Sequence, residues 1–195
     1  LDPDEIFRRI VHAVQQSFNY QHVSFYLVDD RTNQMIMSAK AGVYEAHFPD
    51  GYCQNVGEGI VGTVVASGEP LMANDVINDP RRILAFPEEQ STRSELCVPI
   101  KTGDHVLGAL DVLSRKKNGF NQTDVQSLQV LTDQLAWVIH NARRFQETHE
   151  LKEFNEQILQ TIPLPVLLLD REQCVTFANN AYLTYHDLNG QNIIG

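Results

Sequence analysis

Basic residues are scarce in this chain: 15 lysines and arginines face 25 aspartates and glutamates, a formal charge of −10 over 195 residues. A surface of that sign repels phosphate backbones, which excludes nucleic-acid binding as the main activity, and Arg115-Lys116-Lys117 is too short a run to reverse it. Cysteine is scarce too. Cys53, Cys97 and Cys174 are odd in number and widely spaced, which predicts free thiols in a reducing, cytoplasmic setting and no disulfide framework. Long apolar runs are absent. The stretch from Leu164 to Leu169 falls far short of the roughly 18 residues that span a bilayer, so no membrane contact is expected. The opening Leu1-Asp2-Pro3-Asp4 lacks the basic and apolar regions of a signal peptide, and without a first methionine the chain is expected to be a piece of something longer. The seven histidines show neither close pairing nor cysteine spacing, so no metal site is expected. What remains is an ordinary globular composition, 43% hydrophobic and 21% charged, enough for one domain and a small second one.

Periodicity supplies the elements. Asp2-Pro3-Asp4-Glu5 reads as an acidic cap with proline at the first helical position, and Ile6, Ile10, Val14 and Phe18 recur every fourth residue, widened by Phe7 and Val11. Val23–Val28 and Gln34–Ala41 alternate and form a hairpin; Gly42–Glu58 reads as loop. A short helix, Ile60–Ser67, stops at Gly68 with Pro70 beyond it, and Leu71–Ala73 suits a short strand. Asn74–Thr92 predicts a loop with a broken helix, and Glu95–Ile100 with Val106–Leu113 a second hairpin. Asn121 then caps a helix whose apolar steps run Val125, Leu128, Leu131, Leu135, Val138, Ala142, Phe145. Neither proline nor glycine interrupts the chain between Gly119 and Pro163, and the apolar step resumes in a shifted register at Leu151, Phe154 and Ile158. A helix over 122–161 would be roughly 60 Å long, more than one small domain covers, so a paired helical linker is expected. Val166–Leu169 and Cys174–Phe177 predict a last hairpin, with a helical turn over Asn180–Tyr185.

Gly57-x-Gly59-x-x-Gly62 fits a dinucleotide-binding fingerprint by letter, but Asp50–Asn55 ahead of it is no apolar strand, so packing glycines are the expected reading. Together with Ser94-Glu95-Leu96-Cys97-Val98-Pro99-Ile100, Val106–Val112 and Phe120–Arg143, the stretch Gly57–Pro70 resembles the GAF family of sensory domains. Leu169-Asp170-Arg171, Phe177–Ala181 and Asn192–Gly195 resemble the start of a PAS domain. The resemblance implies an α+β fold, an antiparallel sheet flanked by helices, followed by a long linker helix and a partial PAS-like segment. Its division is 1–147, 148–162 and 163–195.

It further implies a cytoplasmic, homodimeric sensory module, as in sensor histidine kinases and related two-component proteins. The dimer would form through the first and the long helices, and a small ligand would sit in a pocket on the opposite face. Ligand and cofactor stay unidentified. For that pocket Asp75, Arg81, Arg82 and Phe86 from the loop and Ser94 and Cys97 from the strand are the candidates, a few polar groups over an apolar floor. Two alternatives stand beside it: a purely structural dimerisation module, and an enzyme like the GAF branch that reduces free methionine sulfoxide. That branch carries cysteines where this chain has Ile60-Val61 and Leu84–Pro87, so catalysis is not expected. Thr148-His149-Glu150-Leu151-Lys152 echoes a kinase phospho-acceptor box but is followed by Glu153-Phe154, not proline, and reads as a charged helix face.

Overall fold

Amphipathic helix and alternating strands meet first at the N-terminus. The computed structural model describes residues 3–188; the cap at Asp2 and the turn over Asn192–Gly195 lie outside them. Helix α1 (Pro3–Phe18) leads into strands β1 (His22–Asp29) and β2 (Gln34–Gly42). The loop expected after β2 contains a short polar strand, β3 (Cys53–Asn55), which pairs with Gln34–Ile36 and is too brief to show alternation. Helix α2 (Gly59–Ser67), β4 (Leu71–Ala73), β5 (Ser94–Thr102) and β6 (His105–Ser114) complete the first unit with the opening half of α3 (Gln122–Thr161). Two 3-10 turns, Val76–Asn78 and Pro87–Ser91, are the broken helix of the long loop.

All six strands are antiparallel, in the order β3-β2-β1-β6-β5-β4, so the two hairpins meet at β1 and β6 in the middle. One face carries Val23, Phe25, Leu96, Val98, Leu110 and Val112 against α1 and α3. The other carries Tyr26, Met35, Cys97, Ala109 and Leu113 against α2 and the loops. Side-chain alternation along each strand is what separates these two cores. On α1 the buried ridge is Phe7, Val11 and Val14; Phe18, counted into the stripe by its spacing, is 48% exposed because the helix ends there and turns away. On α3 the ridge is Val125, Leu128, Leu135, Ala136 and Ile139, with the Thr132 hydroxyl turned onto the Gln129 carbonyl at 3.0 Å. Each such aliphatic side chain contributes about 1.5–3 kcal/mol by leaving water.

The second unit comprises the later part of α3, the hairpin β7 (Leu167–Leu169) and β8 (Val175–Ala178), and α4 (Asn180–Tyr185). Fully buried Asn179 organises it. Its amide nitrogen donates to the carbonyls of Leu164, Ile162 and Leu159 at 2.9, 3.1 and 3.2 Å. Its Oδ1 accepts from Val166 and Tyr182, both at 2.9 Å, and so also caps α4.

Candidate functional site

Rungs of the central strands build the site. Ser24, Asp111 and Cys97 lie opposite one another across β1, β6 and β5; His22, Leu113 and Glu95 form the next rung, and Tyr26, Ala109 and Pro99 the one beyond. All face α2 and the loops. The result is a carboxyl in the middle of the sheet, Asp111, only 5% exposed, with Glu95 one step along the diagonal of the neighbouring strand. The two carboxyls share a hydrogen bond, yet Asp111 Oδ1 has no partner among the described residues.

Above them lies a cavity of about 30 Å³, room for one or two waters. Ser24 and Tyr26 line it from the sheet, Ile60 and Val61 from α2, and Gln54 from β3. Ile83, Ala85 and Glu89 close it from the loop. This roof is tied to itself through Glu89. The Glu89 carboxylate accepts the Ala85 N–H at 2.8 Å, and its main-chain carbonyl accepts from Arg82 at 3.0 Å. The far end of the roof is fastened to the start of β1 by a buried network. Gln21 donates to the Tyr44 hydroxyl at 2.6 Å and to Ser91 at 2.9 Å, and Tyr44 lies 2.7 Å from the Ser91 hydroxyl.

Glycines let α2 approach. A Cβ on Gly62 would stand 2.8 Å from the Asn55 carbonyl oxygen and 3.0 Å from Gly57 N, so the three-glycine motif is a packing device joining β3 to α2. No apolar parallel strand precedes it; β3 is a polar antiparallel edge.

Burial dominates the electrostatics. It pushes Asp111 up to about 8, opposed by the hydrogen bond from Glu95 and reinforced by the charge of Glu89. Burial and the charges of Asp111 and Glu89 hold Glu95 well above the carboxylate range, so Glu95 is the proton donor of the pair. Burial also raises the Cys97 thiol and the Tyr26 hydroxyl, both helped by Asp111. Nearby His22, packed between the Tyr44 and Phe48 rings, is lowered to about 4 by burial, then by Lys40 and His47.

The candidate residues read from the sequence are placed around this centre, and none of them lines the cavity. Asp75 pairs with Lys117 at 2.6 Å and accepts from Asn78 at 2.8 Å, bonds that lower its pKa. Arg81 is held by Asp79 through contacts of 2.7 and 2.9 Å. Arg82 straps the roof. Phe86 packs against Tyr44, His47 and Phe48. The Ser94 hydroxyl donates to the Lys116 carbonyl at 2.7 Å and accepts the Gly119 N–H at 3.3 Å, bracing the turn into α3. Cys97 is fully buried beside Asp111. Asp111, Glu95 and Glu89 escaped the sequence reading, although a carboxylate inside the apolar run Leu107–Leu113 was a visible signal, because charge in a central strand needs a reason. No thiol lines the cavity, and Ile60, Val61 and Ala85 stand at its wall. Among the described residues no three histidine, cysteine or acidic side chains are grouped to hold a metal ion.

A six-stranded antiparallel sheet with α1 and α3 on one face, and α2 beside a loop-roofed cavity on the other, defines a pocket-bearing α+β domain. The profile of the GAF domain matches residues 1–140, and the chain belongs to that family. GAF domain-containing protein A of Dictyostelium discoideum is 28% identical over 121 residues, 61% of this chain and 70% of that protein. The formate hydrogenlyase transcriptional activator FhlA of Escherichia coli is 26% identical over 164 residues, 78% of this chain. The match spans only 23% of that activator's length. Among solved structures, the GAF domain of an Acinetobacter phosphoenolpyruvate-protein phosphotransferase superposes with a TM-score of 0.64 at 23% identity, covering 74% of this chain and 85% of that one, a likeness of fold alone. The type II free methionine-R-sulfoxide reductase of Thermoplasma acidophilum superposes with a TM-score of 0.60 at 26% identity, over 72% of this chain and 96% of that one. GAF relatives among regulators support a signalling or ligand-binding module. No helix among the described residues is long and apolar enough to cross a membrane.

Proposed function

We propose that the chain is a sensory module whose GAF pocket binds a small ligand and relays its occupancy through α3 to a following domain. One observation carries this reading: Glu89 belongs to both the cavity wall and the roof, so a ligand that recruits its carboxylate changes the bonds that order the loop. A differential affinity between two loop states is what a signal requires. The hairpin and α4 around Asn179 support a second unit that begins a PAS-like domain, as in sensor kinases, with residues 148–162 as its helical linker.

The full chain, exposed to fractionated metabolite pools, is expected to show a rise in melting temperature with at least one fraction, since ligand binding to the folded state stabilises it by mass action. No fraction raising it would favour a purely structural module instead. The likeness to the Thermoplasma reductase favours a catalytic alternative, and the same chain with a thiol reductant is expected not to turn over free methionine sulfoxide. Turnover abolished by a serine at Cys53 or Cys97 would reverse that conclusion.

Self-association is part of the proposal. Val130 and Trp137 on α3 are 60% and 69% exposed, and with Leu151 and Ile158 they fall at multiples of seven residues, the spacing of a paired-helix seam. Sedimentation of the wild type is expected to give a dimer, and Trp137→Glu a monomer of unchanged circular dichroism. A wild type that sediments as a monomer at micromolar concentration removes the dimer.

A further inference from the structure

The cavity is unusual in what its wall offers. Asp111 Oδ1 is a buried acceptor without a partner. Glu95 and Glu89 add carboxyl oxygens. Gln54 commits its amide nitrogen to the Tyr52 hydroxyl at 2.9 Å, and its Oε1 lies on the Gly59 side of the cavity. Carboxyl and carboxamide oxygens therefore crowd a small space whose donors are the Tyr26 hydroxyl and the protons held on the Asp111–Glu95 pair. Of the arginines nearest in sequence, Arg81 is paired with Asp79, and Arg82, bonded to the Glu89 carbonyl, favours the ionised Glu89 and Glu95 from the roof without lining the cavity.

Resting on the sensory reading above, we infer that the pocket takes a small organic cation with a primary ammonium head, seated between Asp111, Glu95 and Glu89, its short apolar tail lying under Ile83. An ammonium brings three N–H donors and one positive charge to a wall of carboxyl and carboxamide oxygens; the head alone fits the cavity as it stands, and the tail enters as Ile83 lifts. A carboxylate or phosphate ligand would meet Glu89 with no lysine or arginine on the cavity lining to pair it, and it gains nothing from ionising the Asp111–Glu95 pair. Ile60, Leu113 and Phe48 supply apolar contact for the tail, and the exposed roof residues Ile83 and Leu84 are the ones that must lift to admit it.

Binding in this mode is linked to protons. The cation favours the ionised pair, so a proton leaves as it enters. The groups facing Asp111 are Glu95 and Cys97 on β5, Tyr26 on β1 and Glu89 on the roof; Arg82 and Arg81 act on Glu95 from the same loop, and Tyr52 on Tyr26.

The test is calorimetry and thermal shift on the full chain with methylammonium, ethanolamine and putrescine, set against choline, formate and acetate. Saturable binding of the primary ammonium compounds is expected, tightening by up to about tenfold per pH unit between pH 6.5 and 8. Asp111→Asn should weaken it at least about tenfold, with the fold intact by circular dichroism. Ammonium binding undiminished in Asp111→Asn, or a response to choline, formate or acetate alone, overturns the cation assignment while leaving the sensory module standing. No response to any of these probes overturns the assignment as well; only the further failure of every metabolite pool would remove the sensory reading with it.

Discussion

Asp111→Asn is expected to make the protein more stable at pH 8, by about 1–4 kcal/mol, the range seen when buried ion pairs give way to uncharged residues of similar volume, because the amide has no charge to desolvate. Unfolded, Asp111 gives up its proton near 3.8; folded, it keeps it to about 8. Between those values the unfolded chain binds fewer protons, so wild-type stability falls as pH rises and levels off above 8. Glu95, also raised, adds to the same limb. His22 acts in the opposite sense. Its folded pKa is depressed to about 4 from 6.5, so its contribution is present above 6.5 and lost as pH falls toward 4. Below about 6.5 His22 offsets only one of the two carboxyl limbs, so the wild-type profile should fall gently from pH 5 to 6.5 and more steeply from there to about 8. Urea unfolding from pH 5 to 9 checks it: the alkaline limb should shrink in Asp111→Asn and vanish when Glu95→Gln is added. Profiles that run parallel for wild type and both variants would show that the pair is not protonated as described. A group that weakens the fold at working pH is retained because it does something else, which ties this measurement to the ligand experiment.

Gly108→Ala should cost about 3 kcal/mol or more, the largest effect expected of any single methyl group here. Gly108 sits in β6 opposite Leu27, just after the irregularity that shifts the β5–β6 register past Ile100. A Cβ there would stand 2.1 Å from the Tyr26 carbonyl oxygen and 3.1 Å from its carbon. Those are main-chain atoms of the central ladder, so they cannot yield without breaking β1 from β6. Tyr26 also lines the cavity, and the damage would reach the pocket. Denaturant midpoints decide this one; a loss below about 1 kcal/mol would mean the two central strands can slide apart cheaply.

The fold was legible because its signals are local. Alternation marked both hairpins, and the glycine and proline after Ser67 marked the end of α2. The run of apolar steps from Val125 marked the inner face of α3 as far as Leu135; Val138, counted into it, is exposed, and Ala136 and Ile139 are buried instead. What stayed hidden was the pairing across the sheet. Nothing in the order of letters says that Ser24, Asp111 and Cys97 share a rung, or that Glu89, more than twenty residues before Asp111, closes over it. The candidates drawn from the loop were charged residues with equally charged neighbours. Arg81 answers Asp79 two positions away, and Asp75 answers Lys117 across the sheet edge, so their chemistry is consumed structurally. Strand β3 was missed because three polar residues carry no period at all. Asp111 was the recoverable miss: an acid within an apolar central strand is costly enough to be read as a site without coordinates.

Asn179 has a practical corollary for anyone who joins this GAF domain to a new partner domain. Because one carboxamide gathers main-chain oxygens from Leu159, Ile162 and Leu164 and then starts α4, a splice made anywhere between those positions strands several unmet carbonyls. Chimeras should be cut upstream of Leu159, where the graft needs only to continue a helix.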